Sequence, residues 1–291
     1  MTRPKTSMIL PLAVMIAALA VSGCARSQSE QDETASEAYN YGLFYADKGD
    51  IATAVAWFDE AIRMMPDNSD AYVARGVAKA QLGDPGAAVM DLSHGIRANP
   101  ESARAYHERG MLYIRAGALE LAIADFSDAL RIEPDRNLYS KRGYAYMKQG
   151  NGQAALQDFN MAVQQNPNSS EAYNHRGFLY LQAGKLEAAM ADMNRALELN
   201  PKFTDAYNTR GLISTHARQW EAALKDFNTA LQLQPGFKQV IDNRAHVLAQ
   251  LGQSEQPDVE PAAGKDGGVV MAPDDEPPVP AEAPEPAPNM E

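Results

Sequence analysis

The chain has 291 residues, a net charge of -12 and one cysteine. An acidic chain without a basic stripe argues against nucleic-acid binding, because phosphate backbones need clustered cations. A lone cysteine excludes an internal disulfide and a thiolate metal cluster.

In chain order, Arg3 and Lys5 precede an almost wholly apolar run from Met8 to Val21. A basic segment followed by an apolar one is the pattern of a secretory signal peptide. Val21-Ser22-Gly23-Cys24 follows, and these small residues before a cysteine resemble the lipobox of bacterial lipoproteins. The resemblance implies cleavage before Cys24, lipidation of Cys24 by acyl chains such as palmitate, and membrane attachment through that lipid. Ala25 follows the cysteine. In a Gram-negative cell the absence of Asp there implies the outer membrane, facing the periplasm. An uncleaved transmembrane helix is a second reading, but the apolar run falls short of the ~20 residues that span a bilayer. Plain cleavage near Ala20 is a third. Residues 24–34 are polar after the cysteine and read as a flexible, lipid-anchored linker.

Between Ala35 and Pro235 a block of about 34 residues recurs six times, and a fixed period of that length marks stacked helical repeats. A glycine recurs as Gly42, Gly76, Gly110, Gly143, Gly177 and Gly211. An alanine follows as Ala54, Ala88, Ala122, Ala155, Ala189 and Ala223. Four residues later comes a large apolar side chain: Phe58, Leu92, Phe126, Phe159, Met193 or Phe227. Each block closes on a proline: Pro66, Pro100, Pro134, Pro167, Pro201 or Pro235. The glycine and alanine let two helices approach, the aromatic fills the space beside them, and the proline stops the second helix. Asp84 before Pro85 is a helix start, and Asp50 and Asn151 hold the same place elsewhere. Five repeats carry a turn glycine between their helices, while the sixth has Arg218.

These motifs resemble tetratricopeptide repeats. The resemblance implies an all-α, right-handed superhelical solenoid of six helix-turn-helix repeats over residues 35–236. Residues 237–252 read as a capping helix, with Ile241, Arg244, Ala245 and Leu248 on its core face; a solenoid needs such an end cap. Residues 253–291 hold nine prolines, ten acids, one lysine and no aromatic residue, too little apolar surface to offset ordering, so they read as a disordered acidic tail.

The residue before the repeat glycine is Arg75, Arg109, Arg142, Arg176 or Arg210, with Arg244 equivalent in the cap. The residue before the second-helix apolar side chain is Asp91, Asp125, Asp158, Asp192 or Asp226, while repeat one carries Tyr41 and Trp57 instead. The expected arrangement is a structural ladder in which each Asp pairs with the Arg of the next repeat, for example Asp125 with Arg142, in bidentate fashion. The alternative is a set of surface arginines, each contributing at most ~1 kcal/mol.

The resemblance also implies that the first helices line a concave groove. The positions after each glycine include Met111, Tyr144, Phe178 and Leu212, and three residues further on come Ile114, Met147 and Leu181. They form either an exposed apolar strip for a partner or surface buried between adjacent helices. Along the edge lie His107, Ser140, Asn174 and Asn208, whose polar groups could grip an extended peptide backbone. Arg104 and Lys141 are basic, but the other positions of the carboxylate clamp known in some eukaryotic members are not.

No phosphate loop, nucleophile elbow or HExxH pattern occurs, and no histidine has another His or Cys at ligand spacing. No cofactor beyond the covalent lipid on Cys24 and no small-molecule substrate is expected. The sequence reads as a non-enzymatic scaffold or adaptor of the bacterial cell envelope, with envelope proteins or peptides as partners. The alternative is a periplasmic chaperone or carrier that shields apolar segments during envelope or pilus assembly.

Overall fold

The computed structural model describes residues 28–134 and 136–252. Cys24, the segment read as a signal peptide and the tail read as disordered lie outside them. Thirteen helices and no strand occur among the described residues. They fall into two units, divided after Pro167.

The first unit contains α1 (Gln28–Asp47), α2 (Ile51–Met64), α3 (Ser69–Gln81), α4 (Pro85–Ala98), α5 (Ala103–Arg115), α6 (Leu119–Ile132), α7 (Arg136–Lys148) and α8 (Gly152–Gln165). The second contains α9 (Ser170–Gln182), α10 (Leu186–Leu199), α11 (Thr204–His216), α12 (Trp220–Leu233) and α13 (Lys238–Gln250). Helices pair as hairpins, α1 with α2 through α11 with α12. Within each unit, the second helix of one hairpin packs on the first helix of the next.

Local chemistry explains these boundaries. Asp50, Asn68, Asp84, Ser102, Asn151 and Ser169 each accept a hydrogen bond from a backbone N–H in the first turn of the helix they precede. Such caps satisfy donors that the helix itself cannot. The first helix of each pair ends on a left-handed residue, which turns the chain sharply. In the fifth pair this is Gly184, at φ +70°. In the sixth it is Arg218, at φ +59°, the one non-glycine residue described in that region. A side chain there costs about 1 kcal/mol.

The core is a repeated crossing of glycine and large apolar side chain. Phe58, Leu92, Phe126, Phe159, Met193 and Phe227 are essentially inaccessible to water. Each burial stabilises by roughly 1.5–3 kcal/mol. A β-carbon on Gly211 would lie 2.6 Å from Cε1 of Phe227, and one on Gly110 would lie 3.0 Å from Cε1 of Phe126. The glycine is therefore a space requirement.

Two features differ from expectation. Helix α1 begins at Gln28, inside the segment read as a flexible linker, and runs for 20 residues. Asp32 and Glu33 lie near its start, where acidic groups suit the positive end of the helix dipole. Ala35 and Ala38 then bury fully in the core. The cap helix α13 spans the expected residues but buries Val240 and Val247 completely. Ile241, Arg244, Ala245 and Leu248, expected on its core face, are only partly buried. They occupy the flank that a following second helix covers in the complete hairpins.

Candidate functional site

The arginine and aspartate residues pair within repeats, which corrects the expected register. Arg109 donates from Nε to Oδ2 of Asp125 at 2.8 Å and from Nη2 to Oδ1 at 2.7 Å. Arg75 with Asp91, Arg142 with Asp158, Arg176 with Asp192 and Arg210 with Asp226 repeat the same fork, always sixteen residues apart. Asp125 thus meets Arg109 of its own hairpin, and Arg142 meets Asp158. Helix geometry gives the reason: one residue before its glycine, the arginine lies beside the face that crosses the second helix of the same hairpin.

The link between hairpins uses the remaining nitrogen. Nη1 of Arg75 donates to Asp59 at 2.5 Å, that of Arg109 to Ser93 at 2.9 Å, that of Arg142 to Ser127 at 3.0 Å and that of Arg210 to Asn194 at 2.9 Å. Each acceptor directly follows the large apolar residue of the preceding hairpin. Tyrosines flank the guanidinium groups. Arg109 lies 5.9 Å from the ring of Tyr106 and 5.8 Å from that of Tyr113; Arg142 and Arg176 are enclosed in the same way. Cation–π contact adds to the ion pair in such a setting. These acceptors and tyrosines are additions to the ladder read from sequence. Their signal was present: a short polar residue after each core apolar residue, and Tyr at the arginine position minus three or plus four.

The aspartates are nearly inaccessible, so their environments matter. Burial pushes the Asp91 carboxyl up, but hydrogen bonds from Arg75 and Lys79 outweigh it and hold the group below the usual aspartate value. Lys79 Nζ lies 2.9 Å from Asp91 Oδ2. Burial raises Asp125, whose pairing with Arg109 offsets only part of the effect while Asp128 adds repulsion.

The candidate partner face divides into accessible and occupied residues. Its first-unit members, His107, Met111, Ile114, Ser140, Tyr144 and Met147, are half-buried. Met111 and Ile114 lean on the core around Phe126. Lys148 Nζ sits 5.5 Å from the Tyr144 ring centroid. His107 Nδ1 lies 3.7 Å from Glu108 Oε1. That contact holds the glutamate below its usual value against burial, with further help from Arg104 and Arg115. Glu108 and Arg115 line a cleft with Val77, Ala80, Gln81, Leu92 and Leu112, between α3 and α5.

In the second unit, Phe178 and Leu212 are half-buried, and Leu212 packs on the cores around both Met193 and Phe227. Leu181 is buried. Asn208 is also buried and accepts a hydrogen bond from Nδ2 of Asn243 on the cap helix at 2.9 Å. Its side chain joins two helices, which corrects its reading as an open peptide grip. Asn174 is buried as well, and its Oδ1 finds no donor among the described residues. The apolar positions on the first helices therefore do not form a fully exposed strip. Leu43 on α1, at the position after its glycine, is exposed, and the other large exposed apolar side chains lie off that face: Tyr41 and Phe44 on α1, Leu82 at the end of α3, and Met90, Leu121, Met161 and Leu233 on second helices. Among the described residues no group of His, Cys, Asp and Glu side chains could hold a metal ion. No described helix is long and apolar enough to cross a membrane.

Comparison with known proteins agrees with this architecture. No curated protein sequence matches the chain. In structure it is similar to YrrB, described as a TPR protein with an unusual peptide-binding site, at 22% identity and a TM-score of 0.56, covering 64% of this chain and 96% of that one. It is similar to PilF of Pseudomonas aeruginosa at 15% identity and a TM-score of 0.66, covering 75% and 99%. It is also similar to PilW, described as a widely conserved type IV pilus biogenesis factor, at 17% identity and a TM-score of 0.63, covering 72% and 97%. One tetratricopeptide repeat profile matches residues 177–253, and another matches 45–93, 73–137 and 140–202. The chain therefore belongs to the tetratricopeptide repeat family, whose members are generally non-enzymatic scaffolds for protein–protein interaction.

Proposed function

We propose that this protein is an adaptor of the bacterial cell envelope, attached through a lipid on Cys24 to the outer membrane and facing the periplasm. It holds a segment of an envelope protein against the first-helix face. The observation that carries this reading is the order of features in the chain: Arg3 and Lys5, an apolar run, Val21-Ser22-Gly23-Cys24, then tetratricopeptide repeats. Two or more acyl chains give stable attachment where one does not. The fold likeness to PilF and PilW is compatible with an envelope role. The half-buried side chains Tyr144, beside Lys148, and Phe178 offer apolar area to a partner segment.

Apart from Leu43, the large exposed apolar residues lie off the inner face of the first helices, which favours an adaptor over a carrier of unfolded chains. The reading is tested in intact cells. Fatty-acid labelling of the full chain should vanish in Cys24→Ser, and the variant should leave the membrane fraction. Crosslinked pull-down should recover one stoichiometric folded partner. Labelling that persists in Cys24→Ser removes the anchor, and capture of many unfolded chains in place of one partner removes the adaptor.

A further inference from the structure

The first helix carries a face that every comparable helix covers. Phe44 lies two residues after its repeat glycine. The equivalent side chains Ala78, Leu112, Ala145, Leu179, Ile213 and Val247 are at most 7% exposed. Ala78 packs with Ala54 and Phe58 of the preceding hairpin, Leu112 with Val73, Ala88 and Leu92, and Ala145 with Phe126. No described hairpin precedes α1, and Phe44 is 50% exposed. Tyr41 takes the place of the ladder arginine and is half-open, with its ring 4.9 Å from that of Trp57. Two aromatic residues thus stand on a face whose counterparts are buried, for Phe44, or half-buried, for Tyr41.

The charges beside them select the occupant. Glu37, Tyr41, Phe44 and Lys48 are spaced four, three and four residues apart, so they form one stripe, the seam spacing of paired helices. Lys48 is on this face, since its Nζ lies 5.6 Å from the centroid of the Phe44 ring. If two such stripes run antiparallel about a two-fold axis between Gly42 and Leu43, Tyr41 of one meets Phe44 of the other. The same register sets Glu37 against Lys48, twice. The stripe is complementary to itself, as an isologous interface requires. A lipid surface fits less well, because Glu37 on the stripe and the other acids of α1 oppose anionic headgroups. A head-to-tail contact fits less well too, because the outer side of α13 exposes Asp242, His246 and Gln250.

We propose that the protein forms a dimer through α1, with the two α1 helices antiparallel and the Tyr41–Phe44 pairs at the centre. This inference does not depend on the lipid anchor or on the partner bound elsewhere. The test is native mass spectrometry and sedimentation velocity of the full chain extracted in detergent. Wild type should be dimeric at tens of micromolar. Phe44→Glu should weaken the dimer about 100-fold or more, because a charge enters the centre of the contact, while its circular dichroism stays unchanged. Glu37→Lys alone and Lys48→Glu alone should each weaken it about tenfold by placing like charges opposite. The double variant Glu37→Lys with Lys48→Glu should return to within about threefold of wild type. A wild-type monomer at roughly 100 μM, a dimer that survives Phe44→Glu, or a charge exchange without rescue would each overturn the proposal.

Discussion

Repeat one and the five repeats after it close their hairpins differently. In repeats two to six an arginine forks onto an inaccessible aspartate of its own second helix; in repeat one Tyr41 lies against the fully buried Trp57. The difference shows what the arginine is for. Arg75, Arg109, Arg142 and Arg210 also reach back to a short polar residue of the preceding hairpin. Repeat one has no described hairpin behind it, so only closure remains, and an aromatic pair achieves that. Its second helix still supplies Asp59, the acceptor for Arg75 of the next repeat. Within each unit the ladder is a set of bridges closed on their own side, and those of Arg75, Arg109, Arg142 and Arg210 are anchored one hairpin back.

The largest effect should come from breaking closure in a later repeat. Asp125→Ala leaves Arg109 partly buried without its fork and should cost roughly 2–4 kcal/mol, whereas Tyr41→Ala, at a half-open site, should cost about 1 kcal/mol. Chemical denaturation of both variants measures the contrast; equal losses would erase it. Gly211→Ala comes next. Its new β-carbon would press on the Phe227 ring and should cost about 1–3 kcal/mol. Gly143→Ala, with its nearest contact at 3.1 Å, should cost less. Thermal melts of the pair should rank them in that order.

Arg218→Gly relieves a left-handed residue in the sixth turn and should stabilise by about 1 kcal/mol, while Gly184→Ala should lose a similar amount at the fifth. The smallest effect concerns pH. Asp91 has its folded pKa below the unfolded value of about 4, so its pairing stabilises above that value and is lost as the pH falls through the lower folded one. Asp125 is shifted the other way, so its contribution is present at low pH and lost as the pH rises through its folded value. Lys79→Ala should move Asp91 toward the behaviour of Asp125. A carboxyl-carbon NMR titration reads the direction, and an unmoved Asp91 would show that Lys79 does not matter.

Much of this was legible in the sequence because a repeat states each rule six times. The glycine, alanine and aromatic positions predict the crossings, and Asp50, Asp84 and Asn151 predict caps that form. The partners of the ladder were identified correctly, but their register was not. Sixteen residues within a hairpin and a similar step to the next one look alike until the arginine's direction on its helix is known. The inner face was harder. Asn208 shares its sequence position with the half-buried Ser140, yet the cap helix places Asn243 beside it. Phe44 and Leu112 occupy equivalent positions, and only the presence of a preceding hairpin distinguishes their exposure.

The functional account depends on the first-helix face meeting a partner. A photo-crosslinking residue placed at Tyr144 or Phe178 of the full chain in intact cells tests this directly, with Met90 on the exposed side of α4 as the control position. The account predicts one discrete adduct from the inner positions and none from Met90. Adducts from Met90 alone, with Tyr144 and Phe178 silent, would contradict it.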